Sequence, residues 1–536
     1  MTATDTVRRY AKDVIHRARV PMPPFDYVMD GDDQPRRHKV YPDVPSFTLP
    51  IGPPVADGLS DALNRSPWTD QNGALDPARL GRALNDTYGL LSRRLRVTGN
   101  YDVRSNPRTT AAIYARGTAN GGGLYPLEMY WVSGASTSQT PGVYYWDTSS
   151  GNLRRVLAGN VTDRVRDALS NLDHDTDQFL LVTVKFWKNS FKYNSFTHHV
   201  VTMDLGATLA SLDLVGVTGD GATTVPHLWF DSAEIDALLG LDSRDETTMA
   251  VLPLPPGPLG VTRPDEGVPA AVELKESERS LVTHRFEQIT EVIEATLVPQ
   301  STPDVEVVAS ATSVPETAAS VALPPVSLSD FGDGISDVLE RRRSAFGTFS
   351  SHIPLSAVDL ATLLQVTARG CRLRTDAGRA DFARLAVFVN HVDGVAPGAY
   401  FYDAAEHRLV LADDAAPGEF LQQMYFLDNY NVEQAAAVIS VLVPVDSVLD
   451  AVGDRGVRLL NAVVGSATQS CYVAASAIGV ACGAALGFDN VSYAERLGLP
   501  QDDEWPMIAL MVGHDRGDQA NFSFPLSAQP TRSHRD

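Results

Sequence analysis

Four short stretches of the chain combine side chains with complementary reactivity. Lys192-Tyr193, within Phe-Lys-Tyr-Asn-Ser-Phe, sets an amine beside a phenol. That pairing suits proton transfer if burial lowers the lysine pKa toward neutrality. Arg341-Arg342-Arg343-Ser344 clusters guanidinium groups with a hydroxyl, with a weaker echo at Arg65-Ser66. Such a cluster suits a phosphate or an anionic ring edge. Arg116-Gly-Thr-Ala-Asn-Gly-Gly-Gly-Leu-Tyr-Pro-Leu-Glu128 holds three successive glycines, whose N–H groups can converge on a ligand without Cβ obstruction. In Ala485-Leu-Gly-Phe-Asp489 the glycine lets backbone approach a flat ring closely. Each also has an ordinary alternative: a solvated helix face, a turn, or an exposed lysine beside a packing tyrosine.

The rest of the sequence excludes several classes. It has no GxxxxGK[ST] phosphate loop, no HExxH helix and no GxSxG elbow. Neighbouring His198 and His199 point in different directions, so a satisfied or exposed pair is expected rather than a metal site, and no metal is expected. With 66 acidic against 44 basic residues the net charge is -22, the wrong sign for a nucleic-acid or anionic-membrane binder. Cys371, Cys471 and Cys482 form no CxxC pair and read as reduced thiols of a cytoplasmic protein; the first residues show no secretion signal. Residues 462–488 carry no charge, but their small side chains point to a helix buried against another helix rather than a membrane span.

The elements that position these residues occur twice. Pro-Gly-Val-Tyr-Tyr-Trp-Asp at 141–147 returns as Pro-Gly-Ala-Tyr-Phe-Tyr-Asp at 397–403, an offset of 256. Leu-Gly-Leu at 239–241 returns at 497–499, and the small-residue segment at Gly206 returns at Gly465, offsets of 258 and 259. A period this long is a duplicated domain, not a solenoid. In each half, strands at 128–132 with 144–146, and 385–390 with 400–402, read as antiparallel neighbours joined to polar hairpins. A small-residue helix and a final apolar strand (248–254; 506–512) follow, which makes each half an α+β domain with a central sheet. The expected boundaries are a helix and Pro-rich arm over 1–49, domain one over 50–270, a connector over 271–326, and domain two over 327–536. Within the connector, 274–297 reads as an amphipathic helix, with Leu281, Val282, Phe286, Ile289, Val292 and Ile293 in step, and 298–326 as a coreless linker.

The halves are not equivalent. Asp454-Arg455 stands where the first half has Lys192-Tyr193, and Asp376-Ala-Gly-Arg-Ala-Asp381 where it has its glycine loop. The first half in turn has Leu228-Trp-Phe-Asp231, with Trp229 in place of the glycine of Leu486-Gly487.

In this order the four stretches resemble the nitroreductase superfamily, and more closely its azoline dehydrogenases, which convert thiazolines and oxazolines in ribosomal peptides to thiazoles and oxazoles. Tandem forms occur in thiopeptide pathways. The resemblance implies two tandem domains forming an intramolecular pseudo-dimer that binds FMN. It places Arg342, Arg343 and Ser344 on the flavin-gripping Arg-Arg-Ser motif, with Phe346 where many members have a further basic residue. It places Thr118, Asn120, Gly121 and Gly122 on a loop delivered from the opposite subunit, Leu486 and Gly487 at the flavin N5, and Arg516 near the phosphate. Lys192 and Tyr193 fall on the catalytic Lys-Tyr pair. One shared pocket is implied, since each half lacks what the other keeps. The implied partners are an azoline-bearing precursor peptide and the cyclodehydratases of the same pathway. A generic NAD(P)H-dependent flavin nitroreductase and a non-catalytic peptide-binding scaffold are the alternatives.

Overall fold

The computed structural model describes residues 3–69, 74–98, 100, 102, 108–109, 113–218, 220–261, 271–297, 301–308, 319–500, 503–517 and 521–526. The first half builds a sheet from β1 (Leu127–Ser133), β2 (Gly142–Asp147), β3 (Asn152–Ala158), β4 (Gln178–Lys185) and β5 (Glu246–Pro253). Its spatial order is β3-β2-β1-β4-β5, with the short strand Ser46–Phe47 beyond β3. The second half repeats it with β6 (Arg384–Val389), β7 (Gly398–Asp403), β8 (Arg408–Asp413), β9 (Ala437–Pro444), β10 (Ala481–Ala485) and β11 (Glu504–Gly513), ordered β8-β7-β6-β9-β11-β10, with Ser320–Ala322 beyond β8. All these pairs are antiparallel.

The repetition extends to detail. A bulge falls between Val143 and Tyr144, and another between Ala399 and Tyr400, at the offset of 256. The Tyr144 hydroxyl donates to Thr140 O (2.5 Å), and that of Tyr400 to Ala396 O (2.8 Å). Asp231 and Asp489, the last residues of the two Phe-Asp steps, each cap a short helix by accepting its first backbone N–H groups.

Between the sheets run α1 (Thr197–Val215) and α2 (Gly456–Ile478), one from each half. Both are apolar on nearly every face and buried for almost their whole length, as central helices must be. They cross backbone to backbone. A Cβ on Gly206 would stand 1.9 Å from Ala462 O, and one on Gly465 would stand 1.9 Å from Met203 O. Because 206 corresponds to 465, and 203 to 462, this is one contact made twice about an internal two-fold axis. The Asn461 side chain donates to Thr202 Oγ1 beside it (2.9 Å). The chain is thus two tandem α+β domains forming an intramolecular pseudo-dimer.

Three expectations are corrected. The uncharged stretch 462–488 is not one helix: α2 ends at Ile478, Gly479 takes a left-handed conformation (φ 74°), and the chain returns as β10. Within 274–297 only Glu287–Leu297 is helical. The preceding residues form an extended strap, with Lys185 bonded to Glu276 (2.7 Å) and Glu278 (2.5 Å), and Asp33 accepting from Leu281 N and Val282 N. Leu281 and Val282 have no apolar surface to cover and are exposed. The linker contributes core after all: Val305 and Leu323 are buried, and Ser320–Ala322 pairs with β8. Its residues 298–300 and 309–318 lie outside the described residues, as does 262–270 of the first half.

The N-terminal helix Ala3–His16 buries Val7, Tyr10, Ala11, Val14 and Ile15. It packs on Glu287–Leu297 and reaches the second half, where Arg8 meets Asp446 at 2.5 Å. Among the described residues no helix is long and apolar enough to cross a membrane, and the three cysteines are buried and free.

Candidate active site

A cavity of about 1110 Å³ opens where the halves meet. The first half contributes Lys192, Tyr193 and residues 119–125 to its wall; the second contributes Arg342, Arg343, Ser344, Leu486, Gly487 and Arg516. Except for Thr118, every residue expected to bind or react therefore lines one space. Thr118 is buried behind the loop, with its hydroxyl on Ser211 Oγ (2.8 Å).

The glycine loop of the first half is held by the second. Gln469, on α2, donates through Nε2 to Gly117 O (3.0 Å) and accepts from Ala119 N (2.8 Å). Arg342 donates through Nε to Gly117 O (2.8 Å) and through Nη2 to Arg116 O (3.1 Å), its guanidinium 5.2 Å from the Tyr472 ring centre. Arg342 is thus a buried clamp on the loop, with only Nη1 left unpartnered. Asn120 Oδ1 closes the turn by accepting from Leu124 N and Tyr125 N. Gly121 N donates to Asp204 Oδ1 on α1 (2.7 Å). Burial pushes the Asp204 carboxyl up to about 8, against the opposing bonds from Gly121 and Asn120.

Lys192 and Tyr193 end the helix Trp187–Tyr193, which stops at Asn194 with positive φ (42°). The Tyr27 hydroxyl from the N-terminal arm donates to Phe191 O (2.6 Å) and fixes that end. Lys192 Nζ lies 5.0 Å from the Tyr193 ring centre. Lys192 is exposed at the cavity wall and Tyr193 is half-buried. Gly122 (φ 69°) sits under Tyr193.

On the other wall, Ser344 Oγ lies 2.9 Å from the Tyr472 hydroxyl, which also accepts from Ala484 N (2.9 Å). Burial raises the Tyr472 pKa, so its hydroxyl stays protonated. Arg343 is half-exposed, 3.4 Å from Asp515, and Arg516 grips both Asp102 oxygens at 2.6 Å. Phe346 packs on Tyr430 (centroids 5.1 Å apart). Arg17, just past the N-terminal helix, bonds Leu486 O and Asn490 Oδ1. Arg17, Asp204 and Gln469 went unnoticed in the sequence, because none belongs to a local motif. The Arg65 echo is structural, bonded to Leu214 O and Gly221 O. His198 is buried edge-on to Tyr10.

The equivalent space on the other side of the axis is filled. Asp376 accepts from Leu228 N (2.8 Å) and Trp229 N (3.2 Å), the counterparts of Leu486 and Gly487. Arg455, in the place of Tyr193's neighbourhood, is buried and bonded to Leu228 O, Thr296 O and Ser232 Oγ. Trp229 is fully buried where Gly487 faces open cavity.

Residues 382–514 match the model of the nitroreductase family. A protein of Methanocaldococcus jannaschii named as a nitroreductase is 27% identical over 184 residues, 33% of this chain and 90% of that one. A crystal structure of a protein from Anabaena variabilis, named likewise, shares 20% identity at TM-score 0.70, over 95% of this chain and 99% of that one, so the likeness of fold spans both halves. A protein from Exiguobacterium sibiricum, named likewise and solved in complex with FMN, aligns at 12% identity over 37% of this chain and 91% of that one, with TM-score 0.24.

Proposed function

From a chain that has the nitroreductase fold and matches that family's model over 382–514, we propose an FMN-dependent oxidoreductase with one flavin site per chain. Its reaction is the oxidation of thiazoline or oxazoline rings in a ribosomally made precursor peptide to thiazoles or oxazoles. The cyclodehydratases that form such rings are its expected partners.

The residues fit the cofactor. Arg342 Nη1 is a buried cationic donor without a partner, beside Arg343, Ser344 and Arg516. A Cβ on Gly487 would meet nothing nearer than 3.8 Å, so the missing side chain leaves room for a flat ring. Across the axis, the N–H groups equivalent to those of Leu486 and Gly487 already bind a carboxylate, that of Asp376. When bound, FMN would supply the acceptor for the hydride that leaves one ring carbon of the azoline. Arg342, Arg343, Ser344 and Arg516 would hold its phosphate, and the backbone of Leu486 and Gly487 its ring.

Aromatisation also requires loss of a proton from the neighbouring ring carbon. Lys192, with Tyr193 as its partner, handles that proton as base or shuttle, and its exposure connects it to solvent. Tyr193 stands against the glycine loop at Gly122, so the loop fixes where the pair stands. The observation that carries this reading is the gathering of the pair from one half and the Arg-Ser-Gly set from the other around one cavity, while the equivalent space is filled.

The test is to incubate the protein with a thiazoline-bearing peptide and FMN and to look for a two-hydrogen mass loss per ring. Lys192→Ala and Tyr193→Phe should each lower turnover by about 10²–10⁴-fold with FMN still bound. Turnover within a few-fold of wild type in both variants would remove the pair from the mechanism. Oxidation of NAD(P)H with nitro or quinone acceptors, and no change in the peptide, would replace the reading.

A further inference from the structure

A small sheet joins the halves beside the cavity: Asn521–Pro525 of the second pairs with Ser92–Thr98 of the first, which also pairs with Ile113–Ala115. Phe522 stands opposite Leu95, and Phe524 opposite Arg93, which in turn opposes Tyr114. Opposed residues, and residues two apart on a strand, share one side of the pleat. Leu95, Arg93, Tyr114, Phe522 and Phe524 therefore form one face. Leu95 (43%), Tyr114 (40%), Phe522 (52%) and Phe524 (59%) are all well exposed, as is Arg93. On the opposite face Arg94 donates to Glu340 O (2.8 Å) and Arg342 O (3.2 Å), so the sheet is clamped from below with its apolar face in solvent. Four large apolar side chains contiguous on an exposed face mark an interaction site.

Two features indicate what covers it. Tyr114 also lines the cavity, so the face continues from the cavity mouth, and a chain whose ring sits inside passes onto it. The charge is also local. The protein carries a net charge of -22, yet Arg93 lies on this face, and the exposed Lys192 lines the cavity that Tyr114 borders. A carboxylate-bearing segment is repelled by the overall charge of the molecule and attracted here.

We propose that this face docks a segment of the substrate peptide rich in both acidic and large apolar residues, next to the reacting ring in sequence. The proposal rests on the peptide-oxidising reading above. The apolar side chains cover Leu95, Phe522 and Phe524, and the carboxylates face Arg93 and, toward the cavity, Lys192. Because this contact is made away from the reacting atoms, it lowers KM without raising kcat.

The probe is a short fluorescein-labelled peptide alternating Glu and Leu, titrated against the full-length protein by fluorescence anisotropy, with a Lys/Leu peptide as control. The double variant Phe522→Ser/Phe524→Ser and the single variant Arg93→Glu, each checked for unchanged FMN content and thermal melting, should weaken Glu/Leu binding by about tenfold or more. Wild-type binding should fall with added salt, and the Lys/Leu peptide should bind at least about tenfold more weakly. Undiminished binding in both variants, equal binding of the two peptides, or a wild-type dimer that the double variant dissociates in sedimentation would each overturn the proposal. The binding arm needs no turnover, and a short ring-bearing peptide without an acidic segment tests the chemistry alone, so the two readings fail separately.

Discussion

Gly122 lies directly beneath the Tyr193 hydroxyl: a Cβ added there would stand 2.3 Å from the phenol oxygen. Two residues far apart in sequence thus meet with no room to spare, and the loop determines where the tyrosine stands. Gly122 also has φ of 69°, which an L side chain resists. Gly122→Ala should displace Tyr193 and lower turnover of a thiazoline peptide by about 10–100-fold, with FMN retained. Wild-type kinetics in that variant would show that the contact does not position the phenol.

The clamp from the second half gives a stability prediction. Gln469→Ala leaves the buried Ala119 N–H without its acceptor, while Gly117 O keeps Arg342. The cost should be about 1–3 kcal/mol in chemical denaturation. Gln469→Glu restores an acceptor but brings a charge into the core, and should be no better.

Asp204 makes stability depend on pH. Its folded-state value of about 8 lies above the ordinary carboxyl range, so between roughly pH 4 and 8 the folded protein holds a proton that the unfolded chain has released. Stability from this group falls as pH rises through that window, by up to about 1.4 kcal/mol per unit, and levels off above it. Asp204→Asn keeps an oxygen for Gly121 N and removes the slope. Asp376 and Asp213, each pushed by burial to about 6, contribute a slope at lower pH in both proteins, so the difference between them isolates Asp204. Denaturation series at several pH values should diverge, with the variant gaining on wild type as pH rises; parallel curves would contradict this.

The filled second pocket predicts stoichiometry. Flavin absorbance against protein concentration should saturate at one FMN per chain. Two per chain would mean that Asp376 and Trp229 give way.

Much of this was legible beforehand, because the two halves keep landmarks in order. The aromatic strands, the hairpins and the Gly206/Gly465 pairing follow from residues that recur at nearly constant offset. The four chemical stretches also converge as their order implied. What escaped notice was carried by single residues within uniformly apolar elements. Gln469 and Asp204 sit on helices buried all round, where no periodicity singles out one polar position. Arg342 was identified by its motif, but a sequence does not reveal that two of its nitrogens are already occupied by loop carbonyls. The extended strap before Glu287 was missed because Leu281 and Val282 fit a helical period while the surrounding ion pairs dictated another path.

The twinned glycine crossing of the central helices has an evolutionary consequence. With both halves in one chain the two pockets can differ, and one is plugged by its own carboxylate. The pivot had no such liberty, because at either glycine even one methyl group would collide with the opposing main chain. Drift in this lineage is therefore expected to be fast around the blocked pocket and nearly frozen at positions 206 and 465, so the fossil of the ancestral homodimer persists as a hinge pin rather than as a second working centre.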